Sequence, residues 1–297
     1  MHTLSLELRN LANEVVFSSP FFAPERVASN LAAVNCFAEQ NSYISYDSST
    51  WGALRFLQHQ DLPSNEKIGV KPKVIWFRQD SHDTGEFAFA VRSLMGDVQI
   101  PINHALSIEE IALFQSTYDG AVARFMRLFP ELFGSFSSLI QYVIFAHRDG
   151  YSGGTVSSRI GLIWLSPSVE WSDDEWLENL IHEFVHNALF LEDLVHSIFS
   201  VGSVRLEQSD ALATSAIRQV KRGYDKSYHS AFVSQTIIEY YLAIGKNEKA
   251  ASFIFPLVVC VEDLNKNTTL ISEHGKQLLM NLSINVLEKY SVLSEIS

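Results

Sequence analysis

The chain has 297 residues, of which 47% are hydrophobic and 19% charged, and a formal net charge of −12. That length is enough to bury a sizeable core, while the charge would repel a phosphate backbone or an anionic membrane surface, so nucleic acid and membrane are excluded as main partners. The two cysteines, Cys36 and Cys260, stand far apart without CxxC spacing, which excludes a disulfide framework and fits reduced thiols in a cytoplasm.

The N-terminus, MHTLSLELRNLANEVVF, carries Glu7 and Arg9 among its apolar residues and lacks the basic-then-apolar order of a signal peptide. No linker, low-complexity tract or repeat marks a boundary, so the expectation is a single catalytic domain over 1–297. Within it we expect an N-terminal helical part at 1–72, a strand-containing part at 73–170 and a helical part at 171–297. The fold class this implies is α+β, predominantly helical, with a small sheet packed beside one central helix.

Apolar spacing over Pro24 to Gln40 predicts the first helix, with Pro24 in a permissible first-turn position. From Lys73 the texture changes. KVIWF and FAFAVRSLMG are short apolar runs separated by QDSHDTG, which predicts a hairpin or two neighbouring strands, with His82 on the surface. Ser107 opens a helix with Glu109 and Glu110 in its first turn and Ile111, Phe114, Tyr118, Val122, Phe125 and Leu128 on its inner side. SLIQYVIFAH and RIGLIWLSP then predict two strands flanking the loop RDGYSGGTVSS. GYSGG lacks the lysine and spacing of a phosphate-binding loop. A strand beside a metal-bearing helix can offer an open edge to an extended peptide; closing the sheet is its other use.

The next stretch, WSDDEWLENLIHEFVHNALFL, carries the chemistry. Ser172 and Glu175 form a capping box, and Asp173 and Asp174 suit the positive end of a helix. Leu177, Leu180, Ile181, Phe184, Val185 and Ala188 make its apolar face. His182 and His186 are one turn apart with Glu183 beside the first, so that two imidazoles can converge on one metal ion. Two imidazoles and a carboxylate in so apolar a helix would be costly to desolvate without a metal or partners.

After this helix EDLVHSIFS, Glu207 to Lys221 and HSAFVSQTIIEYYLAIG all show helical apolar spacing. Pro256 is expected to kink or break the following helix, and SEHGKQLLMNLSINVLEKY supplies a last amphipathic one, with His274 exposed at its polar end.

The third ligand decides the chemistry. A metzincin is excluded, because Leu189 and Glu192 occupy the positions that pattern gives to Gly and His. Glu207 has a spacing that a thermolysin-like peptidase could use for a His-His-Glu zinc site. His229 is the other candidate, preceded by Arg218 and Arg222, which on a helix would lie one turn apart; their alternative role is an ion pair with Asp210 or Glu207.

HEFVHNALF, then at a distance R-x-x-x-R, a short turn and a His opening another helix, together resemble the 2-oxoglutarate-dependent HExxH peptide β-hydroxylases, which act on ribosomally made peptides. The likeness covers about the second half of the chain and includes a strand like RIGLIWLSP before the metal helix; Gly223 stands where the pattern has proline. The resemblance implies iron(II) held by His182, His186 and His229, 2-oxoglutarate held at its distal carboxylate by Arg218 or Arg222, and a precursor peptide as substrate. Three imidazoles on one face of an octahedral ion leave room for a bidentate oxo acid and dioxygen, and a guanidinium fork matches a carboxylate.

Two other readings stand beside it. In a zinc peptidase Glu183 would be the catalytic general base and Glu207 the third ligand. A metal-containing module that only binds peptides is the third class.

Overall fold

A computed structural model describes residues 17–40, 72–77 and 106–294, with side chains to residue 286. The run FAFAVRSLMG and His82 lie outside the described residues. The fold is α+β and predominantly helical, with eight α-helices and a mixed four-stranded sheet among the described residues. None of those helices is long and apolar enough to cross a membrane. The chain forms two compact units, Phe21–Leu191 and Met1–Pro20 with Glu192–Ser297.

In the first unit, α1 (Pro24–Gln40) has the bounds the spacing predicts. The next described elements are strand β1 (Lys73–Trp76), α2 (Ile108–Leu128) and α3 (Pro130–Leu139). Ser107 caps α2 by a capping box with Glu110, and Phe114, Tyr118, Ala121, Val122 and Phe125 are buried. Leu128, expected inside, is exposed. The helix ends there, and Leu132, Phe133 and Phe136 of α3 take the core positions instead.

Strands β2 (Tyr142–Phe145), β3 (Gly153–Gly154) and β4 (Leu162–Leu165) complete the sheet in the order β1-β2-β4-β3. The first three of that order run parallel, with Lys73 opposite Tyr142 and Tyr142 opposite Leu162, while β3 lies antiparallel to β4. Every residue of YVIF and LIWL is buried, the composition that central parallel strands require because both their faces are covered. On one face Phe145 meets Trp76, Tyr118 and Trp176. On the other, Tyr142, Ile144, Leu162 and Trp164 form a separate cluster. The edge of β4 that could have received a peptide is occupied at Trp164 and Leu165 by β3.

Helix α4 (Asp173–His196) gives its residues to Leu191 to this unit and its last turn to the second. It includes EDLVH, so the separate helix expected there is a continuation. The helix stops where Ser197 takes φ 53°, with Asp193 Oδ1 accepting the Ile198 and Phe199 amides.

The second unit continues with α5 (Ser203–Leu206), the hairpin β5 (Ala213–Thr214) and β6 (Lys221–Arg222), then α6 (Tyr224–Ala243), α7 (Asn247–Asn265) and α8 (Glu273–Ser294). The helix expected over Glu207 to Lys221 is absent. Ala213 pairs with Arg222 and Thr214 with Lys221, and the Ser215 hydroxyl accepts the Arg218 amide in the connecting turn. Ser, Thr and Asp compete with helical hydrogen bonds in this way, and here they win. Helix α7 runs unbroken through Pro256. The carbonyl that proline leaves without a helical donor is that of Ser252, an exposed residue open to water. Helix α6 is buried from Ser227 through Leu242 without a break.

Candidate metal centre

Helix α4 begins as its sequence requires: Glu175 Oε2 accepts the Ser172 amide at 2.8 Å, and the Glu175 amide donates back to the Ser172 hydroxyl at 3.3 Å. Leu177, Leu180, Ile181, Phe184, Val185 and Ala188 are all buried. Phe184 packs on Phe22 and Phe136, and Trp176 on Phe114 and Phe145, which fixes the rotation of the helix on the sheet.

That rotation leaves His182 and His186 half-buried, with ring centroids 5.1 Å apart. Two imidazoles sharing one ion at about 2.1 Å per nitrogen have centroids about 5 Å apart. The pair therefore has the spacing of two ligands of one metal.

Glu183 faces differently. It is 5% exposed, and burial pushes its carboxyl up to about 8. Oε1 lies 4.0 Å from His182 Nε2 and 3.3 Å from where a β-carbon on Gly153 would stand, and Oε2 has no hydrogen-bond partner among the described residues. The same β-carbon would come within 2.9 Å of the Trp164 carbonyl, so only glycine fits between β4 and Glu183.

Asn187, next to His186, ties this arrangement together. Its Oδ1 accepts the Gly161 amide at 2.6 Å, and its Nδ2 donates to the Thr155 hydroxyl at 2.9 Å and to the Glu183 carbonyl at 3.0 Å. Sequence reasoning missed both Asn187 and Gly153. The available signal was an amide side chain in the middle of an otherwise apolar stretch of the helix, and the glycine pair in GYSGG.

His229 lies in the second unit, in the second turn of α6, 4% exposed and beside the ring of Phe199 at 6.4 Å. Burial pushes its imidazole down to about 3. It is thus held neutral, the form that can ligate a metal. The two arginines are not one turn apart on a helix. Arg218 is exposed in the hairpin turn, and Arg222 is half-buried in β6, immediately before the α6 cap at Gly223.

The acidic residues considered as their partners are engaged elsewhere. Glu207 is exposed and paired with Lys226, while Asp210 takes a two-pronged bond from Arg205 at 3.0 and 2.8 Å. Neither Arg218 nor Arg222 has an ion-pair partner among the described residues. His274, expected at the surface, is half-buried with Nε2 2.7 Å from Glu192 Oε1, and its ring lies 5.1 Å from that of His196.

The structure brings His182, His186 and Glu183 together on α4, and places His229 and the arginines in the second unit. Among the described residues no group of three or more His, Cys, Asp or Glu side chains is arranged to hold a metal ion. Compared with protein-family models and with curated proteins, the chain matches none.

Proposed function

We propose that the chain is an iron(II)- and 2-oxoglutarate-dependent oxygenase that hydroxylates the β-carbon of a residue in a ribosomally made precursor peptide in the cytoplasm. His182, His186 and His229 would hold the metal, and Arg222 the distal carboxylate of the oxo acid. The observation that carries the reading is Arg222, a half-buried arginine without an acidic partner among the described residues, two positions from the helix that bears His229. A dicarboxylate would supply the counter-charge that Arg222 lacks among the described residues, in the geometry a guanidinium fork prefers.

The donor set suits the metal: the His182 and His186 rings are spaced as co-ligands, and His229 is held neutral by burial. The chemistry iron(II) supplies when bound is insertion of one atom of dioxygen into a C–H bond, the other atom leaving in succinate as the oxo acid loses carbon dioxide. The protein's own share is to orient the oxo acid through Arg222 and to keep α4 fixed on the sheet through Asn187 and the packing of Glu183 under β3.

A thermolysin-like zinc peptidase has less support. Its general base would be Glu183, which packs inside against Gly153, and its third ligand would be Glu207, which is exposed and paired with Lys226. The deciding experiment is an anaerobic mixture of protein, iron(II), 2-oxoglutarate and candidate precursor peptides, started with dioxygen. A peptide gain of one oxygen with stoichiometric succinate is expected; zinc-dependent peptide cleavage without succinate would establish the peptidase instead.

A further inference from the structure

We infer that Asp263, on α7, is a positioning residue for Arg222: it fixes which face of the β5–β6 hairpin carries that guanidinium. This rests on the oxygenase reading, because it concerns how the proposed carboxylate clamp is held. Asp263 stands 41 positions after Arg222 in the sequence and belongs to neither the hairpin nor the helix of His229.

Four donors converge on this one carboxylate. Oδ2 accepts the Thr214 amide at 3.0 Å, the Thr214 hydroxyl, and Lys221 Nζ at 2.7 Å, while Oδ1 accepts Lys266 Nζ at 2.8 Å. Thr214 and Lys221 are directly opposite each other in the hairpin. Cross-strand partners share a face, and successive residues of a strand point to opposite faces. Asp263 therefore binds one face of the hairpin, and the next pair, Ala213 and Arg222, belongs to the other.

A slip of one residue would exchange the faces and carry Arg222 to the side Lys221 now occupies. So short a hairpin has little register preference of its own, since its ladder is two residue pairs, continued into the turn by the Ser215 amide donating to the Val220 carbonyl at 3.0 Å. Helix α6 holds the same strand from its own side: Ser227 donates to the Ala213 carbonyl at 2.8 Å, and the Ala216 amide donates to Ser230 at 3.0 Å. These bonds fix the path of the backbone. Among the described residues the Asp263 bonds alone engage a hairpin side chain on each strand, and so select the face.

The test uses the full chain and the isosteric Asp263→Asn, with Lys221→Gln as a milder variant that removes one arm from an exposed residue. Three quantities are read: hydrogen exchange of the amides of residues 213–222 without metal, iron(II) affinity, and 2-oxoglutarate affinity of the anaerobic iron(II) protein. The expected result for both variants is faster exchange confined to the hairpin, unchanged iron affinity, and 2-oxoglutarate binding weakened, by roughly tenfold in Asp263→Asn. A loss of packing alone would lower iron and oxo-acid affinity together. Unaltered oxo-acid affinity in Asp263→Asn, with Arg222→Lys impaired, would overturn the positioning role and leave the oxygenase reading standing. If the native protein binds no 2-oxoglutarate, both fall. Should Asp263→Asn fail to fold, unchanged hairpin exchange in Lys221→Gln is the overturning result.

Discussion

Asn187 holds the Gly161 amide at 2.6 Å, so the residue that follows the second histidine of HEFVH also anchors the start of the strand lying beside it. The same side chain reaches Thr155 and the Glu183 carbonyl, and Asn187 itself is fully buried. Asn187→Ala would leave the Gly161 amide without its acceptor. The expected loss of stability is about 1–3 kcal/mol, the cost of an unsatisfied buried donor, measured by urea denaturation. A midpoint unchanged from the native protein would show that water replaces the amide.

The metal ligands are tested singly. His182→Ala, His186→Ala and His229→Ala should each abolish stoichiometric iron(II) binding, read by metal analysis after anaerobic gel filtration. Glu207→Ala should bind as the native chain does, because Glu207 is exposed and its partner is Lys226. Retained iron in His229→Ala with loss in Glu207→Ala would exchange the oxygenase reading for the peptidase one.

For the arginines the expectation is one clamp. Arg222→Lys keeps the charge but loses the planar fork, and should weaken 2-oxoglutarate by roughly 1–3 kcal/mol while iron affinity stays unchanged. Arg218→Lys, at an exposed turn, should bind as the native protein does. Titration of the anaerobic iron(II) protein, followed by metal-to-ligand absorption, distinguishes them; an effect confined to Arg218→Lys would move the clamp to the hairpin tip.

Stability at acid pH has a specific contributor. Burial opposes ionisation of Asp263, but the bonds from Lys221, Lys266 and Thr214 outweigh it and hold the carboxyl well below the usual range. A group whose pKa is depressed on folding stabilises the fold above its unfolded value, about 3.9, and loses that contribution as pH falls through the folded value. The stability difference between native and Asp263→Asn should therefore be constant near neutrality and shrink below about pH 4. A difference independent of pH to the acid transition would remove the carboxylate's charge as its origin.

Local rules carried much of the fold. The capping box of Ser172 with Glu175 forms as read, Ser107 opens its helix as expected, and the two apolar strands before α4 are where their composition puts them. The His182 and His186 spacing follows from helical periodicity alone. What escaped is what depends on distant partners. The stretch 207–221 has helical apolar spacing, but Thr214 and Lys221 find their acceptor on Asp263 and Ser215 serves the turn, so the hairpin wins. Likewise the polar-end position of His274 gave no hint of Glu192, 82 positions away. The burial of Glu183 is equally non-local, since it requires a glycine opposite it on β3.

Helix α6 has no outward side from Ser227 through Leu242, and along it Ser227, Ser230, Ala231 and Ser234 are small residues buried among neighbours. Enlarging any of them would force packed helices apart, whereas the exposed positions of α5 and the hairpin turn are open to drift. Divergent descendants of this chain should therefore preserve the run of small side chains around His229 more faithfully than the loops between helices. A pattern joining that run to HEFVHN would find remote kin that either signature alone would bury in chance matches.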